Sequence, residues 1–167
     1  MKRIHLLLIA LIVAIAGSTA NAQNKMFDSL AKMDGVTSIY VGKPMLKIAG
    51  NSANLFGNMG FDASSLLSKL DAVEVITCDE GVNTAPIVKA MQDLLASMKD
   101  LEVVTEINNN DSGNNDADNV SIYLQSIPGT DRYKALIVAV FSNSEPTLVA
   151  LSGDFTADDI ASVMQGL

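Results

Sequence analysis

Histidine, cysteine and tryptophan are scarce in this sequence of 167 residues, which contains one histidine, one cysteine and no tryptophan. The histidine, His5, lies in an N-terminal segment that we expect to be removed. A mature chain without histidine excludes Ser-His-Asp and Cys-His catalysis, and it excludes zinc sites that use histidine. Because Cys78 is the only cysteine, the chain can form neither an intramolecular disulfide nor a thiolate metal cluster. The fold therefore depends on its apolar core.

Basic residues are also in short supply. There are 11 lysines and arginines against 19 acidic residues, and the formal net charge is −8. Loss of a leader that contains Lys2 and Arg3, and no acidic residue, would leave a net charge of −10. Nucleic acid and anionic membrane surfaces repel such a chain, so we expect neither as a partner. The charge favours solubility and tolerates cationic partners.

The N-terminus has the three parts of a secretory signal peptide. Lys2 and Arg3 form a positive region, and residues 4–16 form an apolar run too short to cross a bilayer comfortably. Ala20 and Ala22 then provide the small residues of a cleavage site. The sequence therefore predicts an exported protein.

Cleavage is expected after Ala22, which gives a signal peptide, residues 1–22, and a single α+β domain, residues 23–167. We expect the mature protein in the periplasm or the extracellular space, without a transmembrane segment. A buried N-terminal helix and an uncleaved membrane anchor are the alternatives. No cysteine directly follows the apolar run, so we do not expect the usual bacterial lipoprotein anchor.

The spacing of apolar residues predicts helices and strands in alternation, followed by strands alone. Helices are predicted over residues 26–33, 44–50, 62–70, 85–99 and 156–164. Strands are predicted over residues 36–42, 72–78, 101–107, 120–127, 133–141 and 147–153. The helix over 85–99 has the clearest apolar stripe, and Thr156 with Asp159 is placed to form a capping box at the last helix.

The order of these elements predicts the architecture. The last four strands have short, turn-rich connections, which predict an antiparallel meander preceded by a βαβ-like unit. The strand over 133–141 is apolar throughout, so we place it centrally with both faces covered. We predict an α+β fold with an antiparallel sheet of about five or six strands and helices mainly on one face. Helix 85–99 and the C-terminal helix are expected side by side there. Either the short N-terminal helices or a second protomer would cover the other face.

Several stretches together resemble a known family. They read "TSIYVGKPMLKIAG", "LLSKLDAVEVITCDE" and "TLVALSGDFTADDIASVM", and the long helix and the start of the meander lie between the second and the third. This order resembles the small secreted proteins grouped as domain-of-unknown-function family 4252, found in Bacteroidota. The resemblance implies a periplasmic or cell-surface protein with no known activity, so it assigns no functional residue. The lack of a lipobox departs from many family members.

The stretch "NNNDSGNNDADN", from Asn108 to Asn119, can be aligned with the calcium loop of an EF-hand. Gly113 falls where that loop needs its sharp turn, but Asn108 and Asn119 replace the acidic first and last ligands. The flanking segments read as strands rather than helices. We interpret the stretch as a solvated hairpin loop, with a calcium-stabilised domain as a minor alternative.

Two further motifs have ordinary explanations. Ser29 and Lys32 match the S-x-x-K pair of penicillin-recognising enzymes, but the companion S-D-N and K-T-G elements are absent. Cys78 ends an apolar strand, where a buried, inert thiol is expected rather than a reactive one. Neither motif predicts catalysis, and we expect no metal and no cofactor.

The segment from Pro44 to Phe61 combines flexible Gly, Asn and Ser residues with large apolar side chains. It is the best candidate for a partner surface, because adaptable apolar side chains suit varied contacts. The apolar residues concerned are Met45, Leu46, Leu55, Phe56, Met59 and Phe61. In the alternative interpretation, these residues fold over the sheet as a lid on the core.

These features favour a secreted, non-enzymatic interaction or accessory protein of the bacterial envelope. Its partner would be an unknown envelope protein or a second copy of the chain. The competing hypothesis is a small-ligand-binding protein or a carboxylate-dependent hydrolase. That function requires a deep pocket lined by two acidic side chains or by a lysine with a shifted pKa.

Overall fold

The described part of the protein, in a computed structural model, forms a six-stranded sheet with helices packed against it. The structure describes residues 25–50, 68–79, 81–108 and 119–164. The strands are β1 (Val36–Gly42), β2 (Leu70–Cys78), β3 (Leu101–Asn108), β4 (Asn119–Ser126), β5 (Tyr133–Phe141) and β6 (Thr147–Phe155). The α-helices with described bounds are α1 (Lys43–Gly50), α2 (Ala85–Ser97) and α3 (Ala157–Met164), and a short 3-10 helix covers Leu30–Lys32.

The strands lie in the order β1-β2-β6-β5-β4-β3, and every neighbouring pair is antiparallel. β3 to β6 are therefore consecutive neighbours, which confirms the predicted meander. β2 and β3 point in the same direction, and α2 connects them past the strands that lie between. The predicted βαβ-like unit is therefore a crossover connection that spans the three intervening strands, β6, β5 and β4. β1 and β3 are the two edge strands of this sheet.

Most predicted elements are present, with small differences at their ends. β2 begins at Leu70 and β6 continues to Phe155, so both are two residues longer than predicted. The predicted first helix is reduced to turns and the 3-10 helix. The predicted helix over 62–70 lies mostly outside the described residues.

β5 lies near the middle of the sheet and is buried on both faces. Its consecutive residues Ala135, Leu136 and Ile137 are 0%, 2% and 0% exposed. Since successive side chains of a strand point to opposite faces, apolar groups must cover this strand from both sides. The central, fully covered position predicted from the unbroken apolar run is confirmed.

One face of the sheet, named the α2 face, is covered by α2 and by the stretch of residues 25–33 before β1, which we name the N-terminal segment. Ile87, Met91 and Leu95 are buried at four-residue intervals and form one stripe along the helix. Phe27 and Leu30 bring the N-terminal segment into the same cluster. The sheet contributes Ile76, Ala135, Ile137, Ala139, Leu148 and Ala150.

The opposite face, named the α3 face, receives α1 and α3. Leu46 of α1 and Ile160 of α3 pack in one cluster with Leu136 of β5. Other members of this cluster are Val41, Leu70, Ile122, Leu124 and Phe155. The prediction of helices mainly on one face, with helix 85–99 beside the C-terminal helix, is therefore wrong. A sheet that is apolar on both faces needs cover on both, because a bare face would expose a large apolar surface to water.

Gly153 permits a close approach between β6 and the start of β2. A Cβ atom at this position would collide with the carbonyl oxygen of Lys69 and would lie 2.8 Å from the ring of Phe155. The Leu70–Gly153 pair stands beside an irregularity in the β2–β6 register. Glycine is required where backbones approach this closely, which gives a physical reason for the glycine of "LSGDF".

α3 begins with the predicted capping box. The Asp159 carboxylate accepts hydrogen bonds from the backbone N–H and the hydroxyl of Thr156, at 2.8 and 2.7 Å. The Asp159 N–H in turn donates to the Thr156 hydroxyl oxygen at 3.3 Å. Lys69 forms an ion pair with Asp159 at 2.5 Å, and Lys69 and Thr156 together lower the pKa of Asp159 to about 2. These contacts tie α3 to the start of β2.

Candidate functional site

A cleft opens on the α2 face where β1, β2 and β6 meet the N-terminal segment. Its volume is about 340 Å³, and we name it the Glu74 cleft. Its lining consists of Met26, Tyr40, Lys43, Asp71, Ala72, Glu74 and Ser152. None of these residues belongs to a catalytic motif, and a single glutamate within an apolar strand matches many ordinary strands. All of them except Met26 lie in the three stretches that carry the family resemblance.

Glu74 is only 3% exposed, and it holds the N-terminal segment against the sheet. Its carboxylate accepts hydrogen bonds from the backbone N–H groups of Met26 and Phe27, at 2.8 and 3.1 Å. Burial raises the pKa of Glu74, while the two backbone donors and the charge of Lys25 oppose that rise. Each carboxylate oxygen therefore has a structural partner.

The rim of the Glu74 cleft carries charged and aromatic groups. Lys43 and Asp71 form an ion pair at 2.5 Å, and both side chains are about half exposed. The ammonium of Lys25 lies 5.6 Å from the centre of the Tyr40 ring, within range of a cation–π interaction. Burial, and then the charges of Glu74 and Asp71, raise the pKa of the Tyr40 hydroxyl.

The Glu74 cleft contains two carboxylates, which the hypothesis of a ligand-binding protein or hydrolase requires. Both carboxylates already have partners, since Glu74 binds backbone and Asp71 binds Lys43. A catalytic role for Glu74 would have to break the contacts that hold the N-terminal segment. The cleft is therefore better suited to attract a small cationic or polar ligand than to run acid–base chemistry.

A second cleft lies between α2 and the strands β3 and β4, again on the α2 face. Its volume is about 480 Å³, and we name it the β3 groove. The lining residues are Gln92, Leu95, Ala96, Met98, Leu101, Val103, Glu106, Asn108, Asn119, Ser121, Tyr123 and Phe141. Apolar surface alternates with carboxylate, amide and hydroxyl groups, so the groove suits a peptide-like ligand better than a purely apolar one.

β3, which borders the β3 groove, is the most exposed strand of the sheet. Val103 and Val104 are each 49% exposed and Ile107 is 55% exposed, while Leu101 and Thr105 are partly buried. Among the described strands, β3 pairs with β4 alone. An edge strand with exposed apolar side chains is a place where a further strand can add.

The backbone of β3 also directs hydrogen-bonding groups away from β4. The Ser126 N–H donates to the carbonyl oxygen of Asp100 at 2.9 Å, and the register continues regularly as far as Val103. In an antiparallel strand the backbone groups point alternately to the two sides, so the N–H and C=O of Leu101 and Val103 point outwards. A register shift follows between Val103 and Thr105.

The side chains of β3 make its edge acidic on both faces. Glu106 lies opposite Ser121 and lines the β3 groove on the α2 face. Glu102 lies opposite Leu124, which belongs to the cluster of the α3 face. The strand, "LEVVTEIN", contains no basic residue, and Asp100 precedes it.

The segment predicted as a partner surface is described only in part. Leu46 is 5% exposed and Met45 packs against the cluster of the α3 face, as the lid interpretation expects for these two residues. The others, Leu55, Phe56, Met59 and Phe61, lie outside the described residues. Apart from Ile48, the exposed large apolar side chains that the structure describes are on β3.

The Asn108–Asn119 stretch connects two paired strands. Asn108 and Asn119 face each other at the end of the β3–β4 ladder, and residues 109–118 lie outside the described residues. The flanks are strands, as predicted, and not the helices of an EF-hand. Within the described ranges, no group of three His, Cys, Asp or Glu side chains is arranged to hold a metal ion.

Cys78 and the S-x-x-K pair make ordinary structural contacts. Cys78 is partly buried against the cluster of the α2 face. Burial, and then the charge of Asp79, raise the pKa of its thiol, which disfavours the reactive thiolate. Ser29 is exposed, and Lys32 forms an ion pair with Asp28 at the surface.

The described residues define an α+β protein with a six-stranded antiparallel sheet, in which the edge strand β1 is mostly partly buried and the edge strand β3 is mostly exposed. No helix in the described part of the chain has the length and apolarity to cross a bilayer. The chain belongs to the family described as a domain of unknown function, DUF4252, whose sequence model matches residues 27–163. The resemblance found in the sequence is thus confirmed. No curated protein matches the chain.

Proposed function

We propose that the protein is exported and serves, without catalysis, as an interaction or accessory module of a bacterial envelope. The observation that carries this proposal is the exposed edge of β3 beside an open groove, with Val103, Val104 and Ile107 at the surface. Proteins usually cover or blunt such an edge, because it can pair with other chains. An accessible edge of this kind is suited to a partner.

The structural use of the carboxylates supports a non-enzymatic role. Glu74 fixes the N-terminal segment, Asp71 pairs with Lys43, and Asp159 caps α3. Carboxylates with such partners serve folding and leave little scope for proton transfer to a substrate. The partner we propose is an envelope protein, since the acidic chain repels nucleic acid.

Position-specific photo-crosslinking in the cells that make the protein tests this role. A photoreactive residue at position 104, on β3, is compared with one at position 34, beside β1. We expect a discrete adduct with another envelope protein from position 104 and none from position 34. Equal patterns at the two positions, or no adduct at either, would contradict the proposed interaction surface.

Export is tested on the same cells. A periplasmic or extracellular protein from Bacteroidota should lack residues 1–22, so its mass should correspond to a chain that begins at Gln23. A full-length protein recovered from the cytoplasm would refute the localisation.

The Glu74 cleft supports a second candidate function, the binding of a small cationic ligand. Asp71 and Glu74 line the cleft, and an organic cation could take the place of Lys43 beside Asp71. Spermidine should raise the melting temperature of the wild-type protein more than that of Asp71→Asn. Asp34→Asn is the matched control, because it removes a charge outside the cleft. Equal shifts in all three proteins would indicate non-specific attraction to an acidic chain.

A further inference from the structure

We infer that β3 binds an extended, basic and apolar segment of another protein, which adds to the sheet as a further strand. This inference rests on the proposed role as an interaction module and names the class of partner. It depends on three properties of β3: outward backbone groups, apolar side chains at the surface, and acidic side chains on both faces.

The backbone provides the pairing groups. The outward N–H and C=O of Leu101 and Val103 follow from the hydrogen bond between Ser126 and Asp100 and from the regular register up to Val103. An added strand would use these groups as its ladder, in the way that peptides extend exposed sheet edges. β3 is eight residues long, which gives an incoming segment room for several such hydrogen bonds.

The side chains specify what kind of strand fits. On the α2 face an added strand would place alternate side chains over the β3 groove, beside Val103 and Glu106. On the other face its side chains would lie beside Glu102 and Ile107. Each face thus offers one carboxylate and at least one apolar group, so a strand with lysine or arginine and an aliphatic residue on each face is complementary.

The same acidic groups disfavour a second copy of this chain as the occupant. Two acidic β3 edges brought together would place like charges close to one another, and cross-strand like charges are destabilising. Charged side chains and bulges on edge strands commonly prevent such self-pairing. The two glutamates of β3 therefore act against a second acidic edge and leave a basic strand acceptable.

A designed peptide tests the inference on the exported, purified protein. The probe has eight residues, two lysines followed by two valines and the same four again, so that each face carries both residue types. We expect saturable binding, with slower hydrogen exchange at the β3 amides. A peptide with glutamate in place of lysine should bind more than about tenfold more weakly.

Two N-methylated forms of the probe separate main-chain pairing from simple attraction. One is methylated at the alternate amides of a single edge, and the other at the amides of both edges. Because the two edges of the probe carry the same residue types, the first form can still pair with β3 through its free edge, and the second form should bind more than about tenfold more weakly than the first. Equal affinity of the two forms would overturn the inference.

Variants of the protein complete the test. Val103→Pro removes an outward N–H without removing a hydrogen bond to β4, so it should remain folded and lose most of the binding. Glu102→Lys with Glu106→Lys should reverse the preference between the lysine and glutamate peptides. Asp34→Lys with Glu145→Lys makes the same change in net charge outside β3, so this pair is the matched control and should not reverse the preference.

The outcomes are distinguishable from those of the proposed function. If position 104 crosslinks to an envelope protein while the lysine–valine probe fails to bind, the interaction role stands and strand addition is wrong. If light scattering shows a dimer whose formation protects the β3 amides from exchange, the occupant is a second copy, which overturns the inference.

Discussion

The two edge strands of the sheet have equivalent places in the topology and different surroundings. In β1, Thr37 is the only exposed residue, Val41 is buried, and the remaining residues are partly buried. In β3, six of the eight residues are exposed. Both strands are rich in β-branched residues, so their composition does not explain which edge is accessible.

The difference arises from the chain on either side of each strand. β1 is preceded by the N-terminal segment, which Glu74 fixes to the sheet, and is followed directly by α1. Leu46 of α1 packs in the same cluster as Val41 of β1. β3 follows α2 along the chain. The next described element is β4, which is the strand that β3 pairs with. An edge strand is more buried where the elements next to it in the chain pack against its side chains.

The largest expected effect compares apolar side chains at the two edges. Leu46→Ala, beside β1, should lower the free energy of unfolding by about 2–5 kcal/mol, because it leaves a cavity in the cluster of the α3 face. Ile107→Ala, on β3, should change it by less than about 0.5 kcal/mol. Chemical denaturation of both variants measures the two changes in the free energy of unfolding. Similar losses would mean that β3 is covered in solution.

A smaller effect compares glutamates. Glu74→Ala leaves the buried N–H groups of Met26 and Phe27 without their acceptor, and should cost about 1–3 kcal/mol. Glu102→Ala, at the exposed edge, should cost less than about 0.5 kcal/mol. Proteolysis of the N-terminal segment should be faster in Glu74→Ala than in the wild type, and it should be unchanged in Glu102→Ala. An N-terminal segment that stays protected would contradict the anchoring role of Glu74.

The pH dependence of stability should show two opposite contributions. Burial raises the pKa of Glu74 above 4.5, so its contribution to stability is complete below about pH 4.5 and is lost as the pH rises through the raised pKa. The pKa of Asp159 falls from 3.8 to about 2, so its contribution is present above pH 3.8 and is lost as the pH falls towards 2.

Melting temperatures between pH 2 and 7 measure these two contributions separately. Glu74→Gln should flatten the upper part of the profile, and Asp159→Asn should flatten the lower part. A Glu74→Gln profile parallel to that of the wild type would show that burial does not raise the pKa of Glu74.

The smallest expected effect on stability is at Val104, on the exposed edge. Val104→Thr keeps the β-branched shape, so the free energy of unfolding should change by less than about 0.5 kcal/mol. Binding of the lysine–valine probe should nevertheless weaken several-fold, because an apolar contact is lost. Val104→Ile is the control and should retain binding. A large loss of stability in Val104→Thr would place Val104 in the core.

Local patterns in the sequence predicted much of the fold and little of the candidate site. The apolar run of β5, the stripe of α2 and the Thr156–Asp159 capping box depend on neighbours along the chain, and the structure confirms all three. The accessible edge at β3 was not predicted, because its alternation is that of an ordinary half-buried strand. The adjacent Val103 and Val104 interrupt that alternation and mark the bulge.

The sequence by itself determined the order of the elements, the meander and the acidic charge. These depend on composition and on contacts between residues close in the chain. Only the tertiary structure decided that α2 and α3 lie on opposite faces, that Glu74 binds the N-terminal segment, and that β3 is a more exposed edge strand than β1. Each of these depends on residues far apart in the chain, and local periodicity carries no information about which distant surfaces meet.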